Sequence, residues 1–185
     1  YKECADAGSN ELQIEDSKKA TANMNSILGD PDRIKVLAKD FVQHYAREKS
    51  LDIAHKNHDH FVIGADTVVV YNQKILGKPK NIDDSFNMLK SLSGQTHSVY
   101  TGVSINKIDE GISETFFEQT HVIFNKLTDE DISYYIETYK PLDKAGSYGI
   151  QDWFAVCVNR IEGCFYNVMG FPLAAFYSHY KKYIK

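Results

Sequence analysis

The stretch Phe61-Val62-Ile63-Gly64-Ala65-Asp66-Thr67-Val68-Val69-Val70 constrains the chain more than any other. Its β-branched and apolar residues fall at odd and even positions alike, so it reads as a strand buried on both faces. One acid and one hydroxyl interrupt it. A carboxylate in such a strand costs desolvation energy unless a cation or hydrogen-bond donors compensate it. Asp66 therefore has two readings, a functional carboxylate or the acid of a structural ion pair. Thr67 beside it would offer a hydroxyl to a substrate. The next clause, Leu76-Gly77-Lys78-Pro79, brings a cation to the end of a following short strand.

The rest of the chain alternates helical and extended patterns. Residues 1–29 are polar and weakly patterned and read as an N-terminal arm, either disordered or divergent. Asp30-Pro31 is a cap followed by proline at the first helical position. A helix is expected over 31–56, with Leu37, Phe41, Val42, Tyr45 and Ala46 on one face. After the strand 61–70 come a turn near Asn72 and a short strand to Leu76. Asn81 caps a helix with Ile82, Phe86 and Leu89 inward, closed by Ser93-Gly94. Strands over 96–107 and 113–125 flank Asp109-Glu110-Gly111, a hairpin signature. Thr128 opens a helix with an acidic first turn, and Pro141 ends it. A glycine-containing loop, 141–152, leads to a strand over 153–162, and a last helix follows Pro172. The pattern is one α/β domain over 30–185, with a mixed, elongated sheet flanked by helices.

Bulk properties exclude several classes of function. The 185 residues suffice for one cored domain, and a net charge of -4 gives no general attraction to nucleic acid or an anionic membrane. No apolar run approaches the ~20 residues of a membrane span. Cys4, Cys157 and Cys164 are odd in number and lack a Cys-x-x-Cys pair, which argues against a disulfide framework or zinc site. A reducing, cytoplasmic compartment is the simplest expectation. His55, His58 and His60 sit among Lys56, Asn57 and Asp59 and read as a solvated connector rather than a metal site.

Other side chains could join Asp66. Lys78 lies between a glycine that permits close approach and a proline that stiffens the exit, and is either a phosphate contact or a surface lysine in a turn. Lys49, near the end of the first helix, is either a ligand contact or a complement to the helix dipole. Gln151 ends a glycine-rich segment. Its amide has both donor and acceptor, which suits the edge of uracil or thymine, although a satisfied turn glutamine reads equally well. The aromatics Phe171, Phe176, Tyr177, Tyr180 and Tyr183 follow helical spacing and suit a core or a subunit interface.

Taken in order, these motifs resemble the Maf family of nucleotide pyrophosphatases. The matching pieces include Ile63-Gly64-Ala65-Asp66-Thr67-Val68-Val69, Leu76-Gly77-Lys78-Pro79 and His97-Ser98-Val99-Tyr100-Thr101-Gly102-Val103. Further on come Lys144-Ala145-Gly146-Ser147-Tyr148-Gly149-Ile150-Gln151 and Asn167-Val168-Met169-Gly170-Phe171-Pro172-Leu173. The resemblance covers residues 31–180. It implies a Maf/inosine-triphosphatase-like fold and cleavage of nucleoside triphosphates to a monophosphate and pyrophosphate, with Mg²⁺ or Mn²⁺ as cofactor. The Lys-Ala-Gly-x-Tyr-x-x-Gln motif looks like the branch acting on dTTP, UTP and modified pyrimidine nucleotides. By the same resemblance Asp66 is the catalytic proton acceptor and a metal ligand, Thr67 and Gln151 select the substrate, and Lys49 and Lys78 meet the phosphates. A homodimer is compatible with family habit.

Two departures stand out. The family's N-terminal Ser-x-Ser-Pro-Arg-Arg loop has no equivalent in residues 1–30, as in a truncated or diverged chain. Gln151 is followed by Asp152 where the family usually has glycine, and that carboxylate would either repel a phosphate or face solvent. The missing loop leaves open an inactive truncated form. A non-catalytic protein-binding module linked to cell division, and a monophosphatase, remain open as well.

Overall fold

The computed structural model describes residues 31–184. The expected N-terminal arm, the Asp30 cap and Cys4 lie outside the described residues. The first element, α1 (Pro31–Ala54), is followed by β1 (Val62–Tyr71), β2 (Lys74–Leu76), α2 (Ile82–Leu92), β3 (Thr96–Lys107) and β4 (Ile112–Phe124). Then come α3 (Asp129–Tyr139), β5 (Val158–Glu162), the short α4 (Phe165–Val168) and α5 (Leu173–Tyr180). The strands form one sheet in the order β2-β1-β3-β4-β5.

Every strand pairing among the described residues is antiparallel, where a mixed sheet was expected. The connections explain this. A two-residue turn, Asn72 and Gln73, both with positive φ, folds β2 back on β1. Helix α2 then carries the chain across β1, so β3 lands on the other side of β1. Strands β2 and β3 thus run parallel to each other but never touch. The long β3–β4 hairpin runs in unbroken register from Thr96 opposite Ile123 to Lys107 opposite Ile112.

Side-chain alternation distributes two cores. Even positions of β1 and β3 face α1, where Ile34, Ala38, Phe41 and Val42 meet Val68, Val70 and Tyr100. Odd positions face α2 and α3, where Val69 and Val99 pack with Leu89, Leu92, Ile132 and Tyr135. Farther along β3, Val103 and Ile105 are covered by Phe171, Phe176 and Tyr180. Most of the C-terminal aromatic stripe is therefore core, while Tyr177 stays 60% exposed.

Three local expectations are corrected. Ile82 is 61% exposed, because it opens α2 directly after the Asn81 cap and its side chain tilts back past the helix end. The strand expected over 153–162 begins only at Val158, since Trp153–Cys157 is a 3₁₀-helix. Asp152 caps that helix by accepting from the Phe154 N–H, and Phe154 and Cys157 turn inward three residues apart. The four-residue α4 was not foreseen.

Two glycines fix how closely α1 lies on the sheet. A Cβ on Gly102 would sit 2.3 Å from the Val42 carbonyl oxygen, and one on Gly64 would sit 2.2 Å from that of Ala46. The helix backbone thus rests on β1 and β3 with no side chain between. Gly102→Ala should push α1 outward and cost about 1–3 kcal/mol, the usual range for overpacking. Urea denaturation would measure it, and an unchanged midpoint would show that the helix can move at no cost.

Candidate active site

Alternation along β1 points Asp66 and Thr67 to opposite faces of the sheet. On the α1 side, the Lys49 ammonium bonds the Asp66 carboxylate. The two side chains differ in exposure, 47% for Lys49 and 18% for Asp66. Burial raises the Asp66 pKa above the usual carboxylate value, and the charges of Lys49 and Lys78 only partly offset this. Asp66 thus binds a proton more readily than a free carboxylate would.

On the other face, Thr67 Oγ1 lies 2.9 Å from Thr101 Oγ1. The Thr101 hydroxyl donates to the Asn167 carbonyl at 3.0 Å. Its proton is therefore committed, and Thr67 must be the donor to Thr101. What Thr67 has left for a ligand is a lone pair. Gly170 lies against it, where a Cβ would come within 3.5 Å of Thr67 Oγ1.

Strand β2 ends at Leu76, opposite Val69, so nothing among the described residues pairs with that side of β1 from Val68 back to Val62. A cavity of about 880 Å³ wraps around this open edge. Lys49, Asp66, Thr67, Lys78 and Gln151 all line it. The five residues singled out from the sequence thus come together around one cavity. Asp66 and Lys49 lie on the α1 side of the strand, and Thr67 lies on the other.

The segment that carries Gln151 is pinned residue by residue. Gly146 N–H donates to the Gly77 carbonyl at 3.0 Å. The Ser147 and Ser85 hydroxyls meet at 2.5 Å. Tyr148 hydroxyl lies 2.8 Å from His97 Nε2, and Gly149 N–H donates to the Tyr135 hydroxyl at 2.9 Å. Burial lowers the His97 pKa to about 3, with a smaller contribution from His121, so the ring is neutral at physiological pH. Gln151 itself is exposed, and its amide makes no hydrogen bond among the described residues.

Sequence reasoning missed several residues that matter here. Lys80 and Lys144 also line the cavity, and among the described residues Lys144 is tied only to the exposed Asp143, at 3.1 Å. Their signal was proximity, since Lys80 is two residues from Lys78 and Lys144 opens the segment ending in Gln151. The relay through Thr101 and Asn167 joins residues 66 apart and left no local trace. Asp152 was expected to face a phosphate or solvent. It does neither, because its carboxylate turns inward onto Tyr135 and Phe154.

No group of three or more histidine, cysteine or acidic side chains among the described residues could hold a metal ion by itself. The donor set that is present, the half-buried Asp66 carboxylate facing a roomy cavity, still suits Mg²⁺. That ion commonly takes one or two carboxylates and completes its shell with water and substrate phosphates.

A cavity with several lysines around a single desolvated carboxylate suits a protein that handles a phosphorylated small molecule. The chain belongs to the Maf family: the family's model, described as Maf-like protein, matches residues 13–183. A dTTP/UTP pyrophosphatase of Thermosipho melanesiensis is 53% identical over 133 residues, covering 72% of this chain and 70% of that protein. One of Bacillus cereus strain G9842, bearing the same name, is 46% identical over 144 residues, covering 78% and 74% respectively.

The raised pKa of Asp66 has a consequence for stability. A group whose folded pKa exceeds its unfolded value stabilises the fold below the unfolded value, near 3.9, and loses that contribution as pH rises through the folded one. Asp66→Asn should therefore melt at a higher temperature than the wild type near pH 7, with the gain vanishing toward pH 4. Lys49 is exposed enough to stay hydrated when left alone. Thermal melts across this range in metal-free buffer test the point, and a variant less stable at neutral pH would contradict it.

Proposed function

We propose that this protein hydrolyses pyrimidine nucleoside triphosphates, dTTP and UTP among them, to the monophosphate and pyrophosphate. The observation that carries the reading is the desolvated Asp66 carboxylate, paired with Lys49 in one cavity with Lys78 and Gln151. The names of the two relatives support the substrate class. Such an activity removes surplus or modified nucleotides from the pool, a house-cleaning role.

Asp66 accepts a proton from the water that attacks the α-phosphorus. The new bond joins the water oxygen to that phosphorus, and the bond to the β-phosphate's bridging oxygen breaks. Lys78 and Lys49 lie where they can meet the negative charge that builds on the phosphates. Lys80 and Lys144 bring two further ammonium groups to the lining, which also carries Glu48, Asp84 and Asp143. Mg²⁺ or Mn²⁺, held by Asp66, would neutralise phosphate charge when bound. On the far face, Gln151 reads the donor–acceptor edge of the pyrimidine. Thr67, with its proton committed to Thr101, accepts from a ligand N–H or O–H. A buried polar edge discriminates far better than an apolar wall, because a mismatched base leaves groups unpaired.

No helix among the described residues is long and apolar enough to cross a membrane. We place the protein in the cytoplasm, where such nucleotides are made and used. The exposed Phe165, Tyr166 and Tyr177 favour a homodimer, which sedimentation equilibrium would test.

Hydrolysis in H₂¹⁸O with Mg²⁺ tests the reaction. Label should enter the monophosphate and not the pyrophosphate. Release of orthophosphate would instead mark a monophosphatase. Absence of turnover across a nucleotide panel would favour a binding module. Asp66→Asn should lower kcat by about 10²–10⁴-fold, the range for losing a general base. In the wild type, kcat/KM should fall as pH drops through the raised pKa of Asp66, which must be ionised to act. An acid limb unchanged in the Asp66→Asn variant would remove it from the central role. Lys78→Ala should act mainly on KM.

A further inference from the structure

Asp152 stands next to Gln151, at the position where the resemblance leads one to expect glycine. Its carboxylate is fully employed. Oδ2 accepts from the Tyr135 hydroxyl at 3.0 Å, and Oδ1 accepts from the Phe154 N–H at 3.0 Å. The same Tyr135 hydroxyl accepts from the Gly149 N–H at 2.9 Å. A single phenolic oxygen therefore holds both ends of the four-residue segment 149–152.

Space and burial reinforce the arrangement. A Cβ on Gly149 would lie 2.6 Å from Asp152 Oδ2, so the carboxylate is tucked directly beneath that glycine. Tyr135 is 0% exposed and packs against Phe154 and Tyr139. Ile150 is also buried. Within the segment only Gln151 both reaches the cavity and stays exposed. Its amide finds no partner among the described residues, so its direction is set by the backbone on either side.

We propose that Asp152 and Tyr135 form a clamp that positions Gln151 for base selection, and that Asp152 is a specificity-determining positioning residue of this chain. The inference rests on the base-reading role given to Gln151 above. A glycine at 152 offers no acceptor to Tyr135. The hydroxyl would then be buried with a proton to place, and one end of the segment would be loose. A side chain that must meet a base edge gains affinity when it is already held in the bound direction.

The test is calorimetric binding of the α,β-methylene analogues of UTP and GTP in Mg²⁺, which needs no turnover. Asp152→Gly should weaken the UTP analogue by about tenfold, as expected for one hydrogen bond's worth of lost positioning, and shrink its preference over the GTP analogue. Tyr135→Phe, which removes only the hydroxyl, should do the same and carries the test if the glycine variant fails to fold. The double variant should lose clearly less than the sum of the two single losses, because both break the Tyr135–Asp152 contact although each also breaks one bond of its own. Asp152→Asn keeps an acceptor and should stay within about threefold of wild type. Preserved selectivity in Asp152→Gly, or additive losses in the double variant, would overturn the clamp. Gln151→Ala separates the two possible failures. If it abolishes selectivity while Asp152→Gly does not, the clamp alone is wrong. If Gln151→Ala leaves selectivity intact, the base-reading role falls, and the clamp falls with it.

Discussion

The contact on which the site depends is backbone against backbone. Helix α1 lies so close to the sheet that the Val42 and Ala46 carbonyls occupy the space of the missing side chains at Gly102 and Gly64. This closeness does two things at once. It brings Lys49, one turn beyond Ala46, over Asp66, two residues beyond Gly64. It also closes the helix over the carboxylate and strips away water, which raises its pKa. With a larger spacing Asp66 would be a hydrated surface acid with an ordinary affinity for protons. Gly102 pairs directly across from Asp66, and with no side chain of their own the two glycines set the basicity of the group proposed to act on a ligand.

A second constraint is the pleat. Adjacent residues of a strand point to opposite faces, so Asp66 and Thr67 cannot serve one side of the sheet. They can serve one ligand only where the sheet has an open margin, and β2 supplies that margin by ending at Leu76. A nucleotide is well matched to such a place. Its base and its phosphates are chemically unlike, and they can take opposite faces of β1, with the sugar at the margin. Asp66 and Lys49 sit on one face and the pinned segment 144–151 on the other, and Lys78 stands between them, its neighbour Gly77 accepting from the Gly146 N–H while its charge reaches Asp66.

Much of this was legible in the chain. Local pattern found the strand and its acid, although the strand is buried on both faces only from Val68 to Val70 and Ile63 is exposed. Lys49, Lys78 and Gln151 each kept a structural reading until the resemblance of the ordered motifs singled them out with Asp66 and Thr67. The Thr128–Asp131 capping box and the Asn81 cap were equally readable, since capping is settled within four residues. What escaped was non-local. Whether β3 returned parallel or antiparallel depended on which side of β1 it landed. Trp153–Cys157 carries strand-forming residues, but the Asp152 cap decided otherwise, and Asp152 itself found a partner seventeen residues away. Spacing alone could not reveal that its charge points inward.

The interior under the cavity also shows what the fold gives up for this arrangement. His97 Nδ1, Asn106 Oδ1 and Asn167 Oδ1 are buried and find no partner among the described residues. An unpaired buried polar atom costs about 1–3 kcal/mol. Each of the three nevertheless holds a working part of the site with its other atoms. His97 meets the Tyr148 hydroxyl beneath the segment bearing Gln151. Asn106 bonds Ser50, the residue after Lys49. The Asn167 main-chain carbonyl accepts from Thr101, which in turn meets Thr67, while the Asn167 side-chain amide donates to the Val99 carbonyl and the Thr120 hydroxyl and so fixes where that carbonyl lies. Apolar packing would fill the same volumes but would leave rotation free about each contact. Directional bonds do not, and the base reading proposed for this site would depend on that restriction.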